Sequence, residues 1–350
     1  MSKRDIRSLS MDELNEAIVA LDEKKYRAKQ IWEWLWKKGV NNFDQMSSLP
    51  VGFRLKLKEA FVIKSIAIDV VVKSTDKTTK IRFVTEDGHK IEGVLIPSSS
   101  RTTACISVQS GCPLGCKFCA TGQLGYNRNL TEGEIFDQIM ILNLLSETEF
   151  NKPLSNIVFM GMGEPFLNYE AVYKVIKRVT SPDGFGMSPK RLTLSTSGLV
   201  PEIIRFADDD CGVQLAISLH SANQAYREEI MPIAKKYPLG ELVKALKYYH
   251  EKTKERITLE YLLMDGINDT LNDAQELAQF CKNFPVKINL IAYNEVPGID
   301  FKKPLGETVS DFAAFLEQKN LIVNIRRSRG NDIAAACGQL ANEEQQEESN

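Results

Sequence analysis

Three cysteines set the chemistry open to this chain. Within Gly111-Cys-Pro-Leu-Gly-Cys-Lys-Phe-Cys-Ala-Thr121 they fall in the spacing C-x3-C-x2-C, at Cys112, Cys116 and Cys119. Pro113 and Gly115 let the backbone turn tightly enough for three sulfurs to face one centre. The number of ligands is informative. A closed structural zinc site takes four, and an electron-transfer iron–sulfur cluster usually takes four cysteines. Three thiolates on a [4Fe–4S] cluster leave one iron free for a substrate or cofactor. A zinc site completed by a distant fourth ligand, or a set of reactive thiols, stays open from spacing alone.

Other polar residues recur just past apolar runs. Gly161-Met-Gly-Glu-Pro165, Ser195-Thr-Ser-Gly198, Ser218-Leu-His220 and Asn294 each follow a strand-like stretch. Cys105 lies within such a stretch, and Cys337 stands alone near the end of the chain. Cys211 and Cys281 sit in apolar context and read as small core residues. Seven cysteines, four of them within one short segment, argue for metal or catalysis rather than a disulfide scaffold.

The stretches that must position these residues follow a rhythm. From Ala104 the pattern is strand, loop, helix, repeated. Strands are expected at 104–108, 156–160, 191–195, 212–218, 256–263 and 286–291, and 321–326 can add a last one. Helices are expected at 131–145, 169–180, 199–207, 239–252 and 273–284. Six βα units imply an α/β fold, a partial (βα)6 TIM-like barrel. Its active site would lie at the carboxyl ends of the strands, where the polar residues cluster. Before the barrel, Ile66–Val72, Lys80–Val84 and Lys90–Ile96 alternate with period two, with an Asp87-Gly88 turn. Glu92 lies in the third of these runs, where the pattern alone points it to solvent. The first stretch is helical. Ser10-Met-Asp-Glu13 is a capping box, Arg27–Lys38 carries Trp32 and Trp36 on one face, and a third helix follows Pro50. The expected organisation is therefore a helical accessory domain over 1–62, a β extension over 63–98, the core barrel over 99–341 and a disordered polar tail over 342–350.

At 350 residues and 43% hydrophobic, the chain can bury a large core. Its net charge of −2 excludes a global basic field, so a nucleic acid must meet a local patch. The candidates are the Lys and Arg of the N-terminal helices and Arg326-Arg327-Ser-Arg329; a solvated helical surface is the plainer reading of the former. No apolar run spans a bilayer and the start lacks a signal-type core, so a cytoplasmic protein with no membrane partner is expected.

Several stretches together resemble the RlmN/Cfr family of radical S-adenosylmethionine (SAM) RNA methyltransferases. They are Arg27-Ala-Lys-Gln-Ile-Trp-Glu-Trp-Leu35, Gly111–Gly122, Asn127-Arg-Asn-Leu130, Gly161-Met-Gly-Glu-Pro-Phe-Leu-Asn168, Leu194-Ser-Thr-Ser-Gly198, Ser218-Leu-His-Ser221, Met231-Pro232 and Ala335-Ala-Cys-Gly-Gln-Leu340. The resemblance covers about the whole chain. It implies one [4Fe–4S] cluster held by Cys112, Cys116 and Cys119, with SAM on the open iron. Gly163, Glu164, Ser195, Ser218, Leu219, His220 and Asn294 match SAM-contacting positions.

The resemblance also implies a reaction. The adenine C2 carbon lies between two ring nitrogens and is too electron-poor to attack a SAM methyl, so a radical route is needed. Cys337 takes a methyl from one SAM. A radical from a second SAM then removes hydrogen from that methyl, and the carbon adds to the base. Glu92 matches the family's base for the C2 proton. Cys105 matches the residue that releases the RNA and leaves a Cys105–Cys337 disulfide, which a thiol reductant must reopen. The implied substrates are adenosine 2503 of 23S rRNA and adenosine 37 of tRNA, with a cytosolic electron donor such as flavodoxin, in a monomer. Pro165 after Glu164 and Ser195-Thr-Ser-Gly198 place the chain nearer the C2-specific branch than the Cfr-like branch, which methylates C8. A non-catalytic RNA-binding protein with structural zinc, and an electron-transfer protein, are the other classes.

Overall fold

The computed structural model describes residues 3–342. The acidic stretch from Glu343, expected to be disordered, lies outside the described residues. Ten strands form one sheet: β1 Ala67–Lys73, β2 Thr79–Val84, β3 Lys90–Pro97, β4 Thr102–Cys105, β5 Asn156–Phe159, β6 Leu192–Thr196, β7 Gln214–Ser218, β8 Ile257–Leu263, β9 Val286–Ala292 and β10 Ile322–Arg326. They pair in strict chain order from one edge to the other. Pairs from β1 to β4 are antiparallel, and those from β4 to β10 are parallel. The six expected parallel strands are β4 to β9, the strand allowed for at 321–326 adds β10 as a seventh, and the barrel stays open because β1 and β10 are its two edges. The β extension is not a separate sheet. Through the β3–β4 pairing it continues the barrel wall.

Helices α1 Met11–Ala20, α2 Tyr26–Trp36 and α3 Val51–Ala60 form the N-terminal unit. Ser10 and Glu13 make the reciprocal capping bonds expected at the start of α1. The unit is tied at both ends, since Arg4–Asp5 pairs in parallel with Phe61–Val62. It packs on α4 Glu132–Phe150 and α5 Tyr169–Thr180. Trp36 is fully buried edge-on to Phe136, with ring centroids 5.3 Å apart, a contact worth about 0.5–1.5 kcal/mol beyond its area. Arg178 of α5 lies over Trp32, 4.0 Å from the ring centre. Trp32 and Trp36 thus bind this unit to the barrel helices. Part of its basic set is also engaged internally: Lys56 donates to the Leu21 carbonyl, Arg54 to the Asp44 carbonyl, and Lys58 pairs with Asp44.

The Arg7 guanidinium reaches both oxygens of Asp137 on α4, at 2.5 and 3.2 Å, in a dry contact. Burial pushes the Asp137 carboxyl above its usual range, and Arg7 offsets only part of that. Breaking such a pair from one side leaves a buried charge alone. Asp137→Ala is therefore expected to cost about 3–5 kcal/mol in chemical denaturation, more than the double variant Arg7→Met/Asp137→Ala.

Beyond α5, helices α6 Val200–Asp209, α7 Leu239–Thr253, α8 Leu271–Cys281 and α9 Gly306–Gln318 cover the outer face. Cys281 is buried in this core, as expected, and Cys211 is half-buried against it. Glu92 departs from expectation. It is 1% exposed rather than solvent-facing. The alternation of β3 separates two faces that are both covered. A Cβ on Gly93 would meet Leu142 of α4, while Glu92 faces the C-terminal segment and bonds the Ala341 amide. Among the described residues no helix is long and apolar enough to cross a membrane.

Candidate active site

The cysteine loop is built by a small hairpin. Gln109–Gly111 pairs antiparallel with Tyr126–Asn129, so Cys112, Cys116 and Cys119 fall between its arms. Gly111 has φ +76°, and a Cβ there would stand 2.0 Å from the Gly125 carbonyl oxygen, so only glycine closes this base. Asn127 donates to Ser110 Oγ, and Arg128 bridges Asp87 of the β2–β3 turn to Glu134 of α4. The Asn127-Arg-Asn-Leu130 stretch is scaffolding for the loop.

The loop closes over the carboxyl end of the parallel strands, above a cavity of about 240 Å³. All three cysteines line it, as do Gly163, Glu164, Ser195, Ser218, His220 and Asn294, together with Cys105 and Cys337. Strand ends place most of them: Cys105 closes β4, Ser195 lies near the end of β6 and Ser218 closes β7. Two sequence candidates are not on this wall. Leu219 is wholly buried in the core, where its amide bonds the Glu260 carbonyl and its own carbonyl accepts from Arg227. Glu92 lies behind the wall, with one oxygen 3.2 Å from Lys80 Nζ and the other accepting from the Ala341 amide.

Glu164 caps a short 3-10 turn. Its Oε1 accepts from the Phe166 amide, and its Oε2 accepts from both the amide and the hydroxyl of Ser197. Burial nonetheless raises its pKa above the ordinary carboxylate value. Gly163 precedes it with φ +96°, and a Cβ there would meet the Gln109 side chain at 2.5 Å. His220 has φ +57° and its Nδ1 accepts from the Leu262 amide. Burial pulls its pKa down to about 3, so the ring is neutral and fixed in one tautomer at physiological pH. Phe118 stacks edge-on against it at 4.8 Å, which ties the cysteine loop to the end of β7.

The donor set fits a cationic iron cluster. Burial pushes the Cys112 thiol up to about 12 and raises Cys116 and Cys119 as well; the charges of the neighbouring cysteines add to the effect at Cys112 and Cys116. Three crowded, desolvated thiols ionise only when a strong positive charge sits among them, which a metal group supplies. Among the described residues no three His, Cys, Asp or Glu side chains are placed to hold a single metal ion. The three thiols line a cavity of about 240 Å³, with room for a multi-atom group.

Sequence reasoning misses several residues in the cavity wall and behind it. Arg227, 1% exposed, donates to the Leu219 and Ser197 carbonyls and puts a buried positive charge near Cys116. Glu260 of β8 bonds Asn289, while its second oxygen has no hydrogen-bond partner and lies 3.6 Å from Arg326. The sequence groups Arg326 with Arg327 and Arg329 as an RNA-backbone contact. It closes β10 at the cavity, which Arg327 and Arg329 also line, and its charge acts on both Cys105 and Cys337. A signal for this exists in the chain: Arg326 falls at a strand end like the other wall residues.

An open parallel barrel with three cysteines over its carboxyl edge defines a radical SAM enzyme, and comparison with known proteins agrees. Residues 106–281 match the Radical SAM superfamily, and residues 4–63 match the ribosomal RNA large subunit methyltransferase N-terminal domain. A Flavobacterium psychrophilum protein named "Probable dual-specificity RNA methyltransferase RlmN" is 48% identical over 98% of this chain and 99% of its own length. An Anaeromyxobacter protein named dual-specificity RNA methyltransferase RlmN is 42% identical over 97% of this chain and 91% of its own. The crystal structure of a radical SAM methyltransferase from Sphaerobacter thermophilus superposes with a TM-score of 0.92 at 39% identity, covering 96% of this chain and 99% of that one. The chain belongs to the RlmN family of radical SAM RNA methyltransferases. A [4Fe–4S] cluster and SAM are accordingly its cofactors.

Proposed function

We propose that this protein methylates C2 of adenosine 2503 in 23S rRNA and of adenosine 37 in tRNA, through a methyl group carried on Cys337. One observation carries the reading. Cys105 and Cys337, distant in sequence, line the same cavity as the three loop cysteines. They are close enough for Cys337 to add to the raised pKa of Cys105, which burial pushes to about 12. A radical enzyme that used SAM only as an oxidant would have no need of this second thiol pair.

When bound at Cys112, Cys116 and Cys119, the cluster and SAM supply a carbon radical able to take hydrogen from a methyl group. The chain's own residues do the rest. Cys337 presents its sulfur to the cavity, and Asn294 holds its carbonyl at 3.2 Å. The methyl on that sulfur becomes the carbon that joins the base. The adduct loses the C2 proton and returns one electron to the donor chain. The Cys105 thiolate then attacks the Cys337 sulfur and the S–C bond breaks. The carbon leaves on the RNA with the electron pair and takes a proton from water to become methyl, and a disulfide remains for a cellular thiol reductant. Flavodoxin or a similar donor supplies electrons. The wall residues Gly163, Glu164, Ser195, Ser218, His220 and Asn294 surround SAM and hold it against water. A flipped base enters at a cost of a few kcal/mol, about that of unstacking one nucleotide. The basic N-terminal unit, residues 1–62, with Arg327 and Arg329 at the cavity, meets the RNA backbone. The setting is cytoplasmic.

The test is mass mapping of methylated nucleosides after incubation with 23S rRNA fragments and with tRNA. A 2-methyladenosine product in both is expected. A methyl on C8 would assign the chain to the other branch of chemistry.

A further inference from the structure

The segment carrying Cys337 has almost no secondary structure of its own. Between Gly330 and Asn342 it contains one short turn, Asn331–Ile333. Its position must therefore come from anchors outside it. We propose that Lys80 and Glu92 form a buried clasp that grips this segment on both sides of Cys337 and so sets where its sulfur stands.

The two side chains lie on neighbouring strands β2 and β3. Lys80 is opposite Val94 and Glu92 opposite Arg82, so Lys80 and Glu92 meet diagonally on one face of the sheet. They are 5% and 1% exposed, with Lys80 Nζ 3.2 Å from Glu92 Oε1. Each then reaches the segment. Lys80 Nζ donates to the Ala334 carbonyl at 3.3 Å, on the amino-terminal side of Cys337. Glu92 Oε2 accepts from the Ala341 amide at 3.0 Å, on the carboxyl-terminal side. Ala334 has φ +49°, a left-handed conformation that a non-glycine residue keeps only when its surroundings hold it. The carbonyl that Lys80 grips belongs to this strained residue.

Energetics favour a clasp over a passive ion pair. A buried pair recovers its desolvation cost only when its remaining donors and acceptors are also satisfied. Here the Ala334 carbonyl and the Ala341 amide do that, and both belong to the segment. If the segment lifts away, the pair loses two hydrogen bonds at once, so its burial resists the departure. Asn294, Ala120 and Thr121 bond the Cys337, Gly338 and Leu340 carbonyls from the cavity side. The clasp grips from the opposite side. Lys80 and Glu92 are thus positioning residues, outside the cavity wall. The mechanistic weight of the clasp rests on Cys337 being the methyl carrier; its existence does not.

Hydrogen exchange by mass spectrometry on the full-length, anaerobically reconstituted protein tests it, together with the alkylation rate of Cys337 relative to Cys281. In Lys80→Met, amides over 334–341 should exchange at least about tenfold faster, and Cys337 should alkylate faster, with the rest of the sheet unchanged. Lys80→Arg should restore most of the protection. Because Lys80→Met strands a buried carboxylate, the double variant Lys80→Met/Glu92→Met is included; it removes both charges and should still loosen 334–341. Unchanged protection there in the double variant, or loosening spread evenly over the sheet, would overturn the clasp. Neither readout needs SAM or RNA, so the outcome is separate from that of the carrier reading.

Discussion

Replacing Cys337 with alanine is expected to abolish RNA methylation while leaving SAM bound and cleavable. The loss of product should exceed about a thousandfold, the scale seen when a covalent catalytic group is removed. The reason is geometric. The Cys337 segment hydrogen-bonds the cysteine loop through two backbone carbonyls, Gly338 to the Ala120 amide and Leu340 to the Thr121 hydroxyl, and Ala341 packs beside Phe118. The Cys337 surface is open, but what it faces is the cavity, whose walls still desolvate the thiol and raise its pKa. A methyl group placed on this sulfur stands inside the reaction chamber. If Cys337 were only structural, Cys337→Ala would lower melting temperature and product in proportion. Reconstitution with labelled SAM, reading 5′-deoxyadenosine and methylated RNA together, separates the two outcomes.

The second large effect is qualitative. Cys105→Ala should stop at a protein–RNA adduct, approaching one RNA per chain, visible as a band that survives denaturation and disappears on ribonuclease treatment. Cys105 closes β4 and so cannot drift from the cavity. Its thiol is held above the ordinary range chiefly by burial, and the Arg326 charge works in the opposite direction. That arrangement keeps the thiol protonated, and hence quiet, until a sulfur beside it becomes a target. Free turnover by Cys105→Ala would remove its resolving role.

Much of this architecture is legible in the chain because the signals are local. Period-two and period-3.6 runs mark the strands and helices to within a few residues, and glycines and polar residues mark the carboxyl ends where the cavity opens. The cysteine loop declares itself through spacing. What is not legible depends on contacts between residues far apart in sequence. Glu92 looks like an exposed strand carboxylate because nothing nearby says that residues 330–342 will cover that face. Lys80 carries no sign at all, since its partners are Glu92 and a carbonyl 254 positions away. Leu219 is drawn into the site by its neighbours Ser218 and His220, yet strand alternation turns it to the core. Arg227 lies in a helix, Gln224–Ile230, whose polar residues read as surface, and only the packing of that helix under the cysteine loop buries its guanidinium.

The proposed route carries the methyl carbon to RNA by way of a sulfur and a radical, not by direct displacement from SAM. It is tested most directly with SAM whose methyl carries three deuterium atoms, by weighing the methylated adenosine released from the RNA. Passage through Cys337 removes one deuterium and later returns a hydrogen, so the product methyl should hold two deuteriums. A product holding all three would mean that the methyl moved intact, and would contradict the route through Cys337.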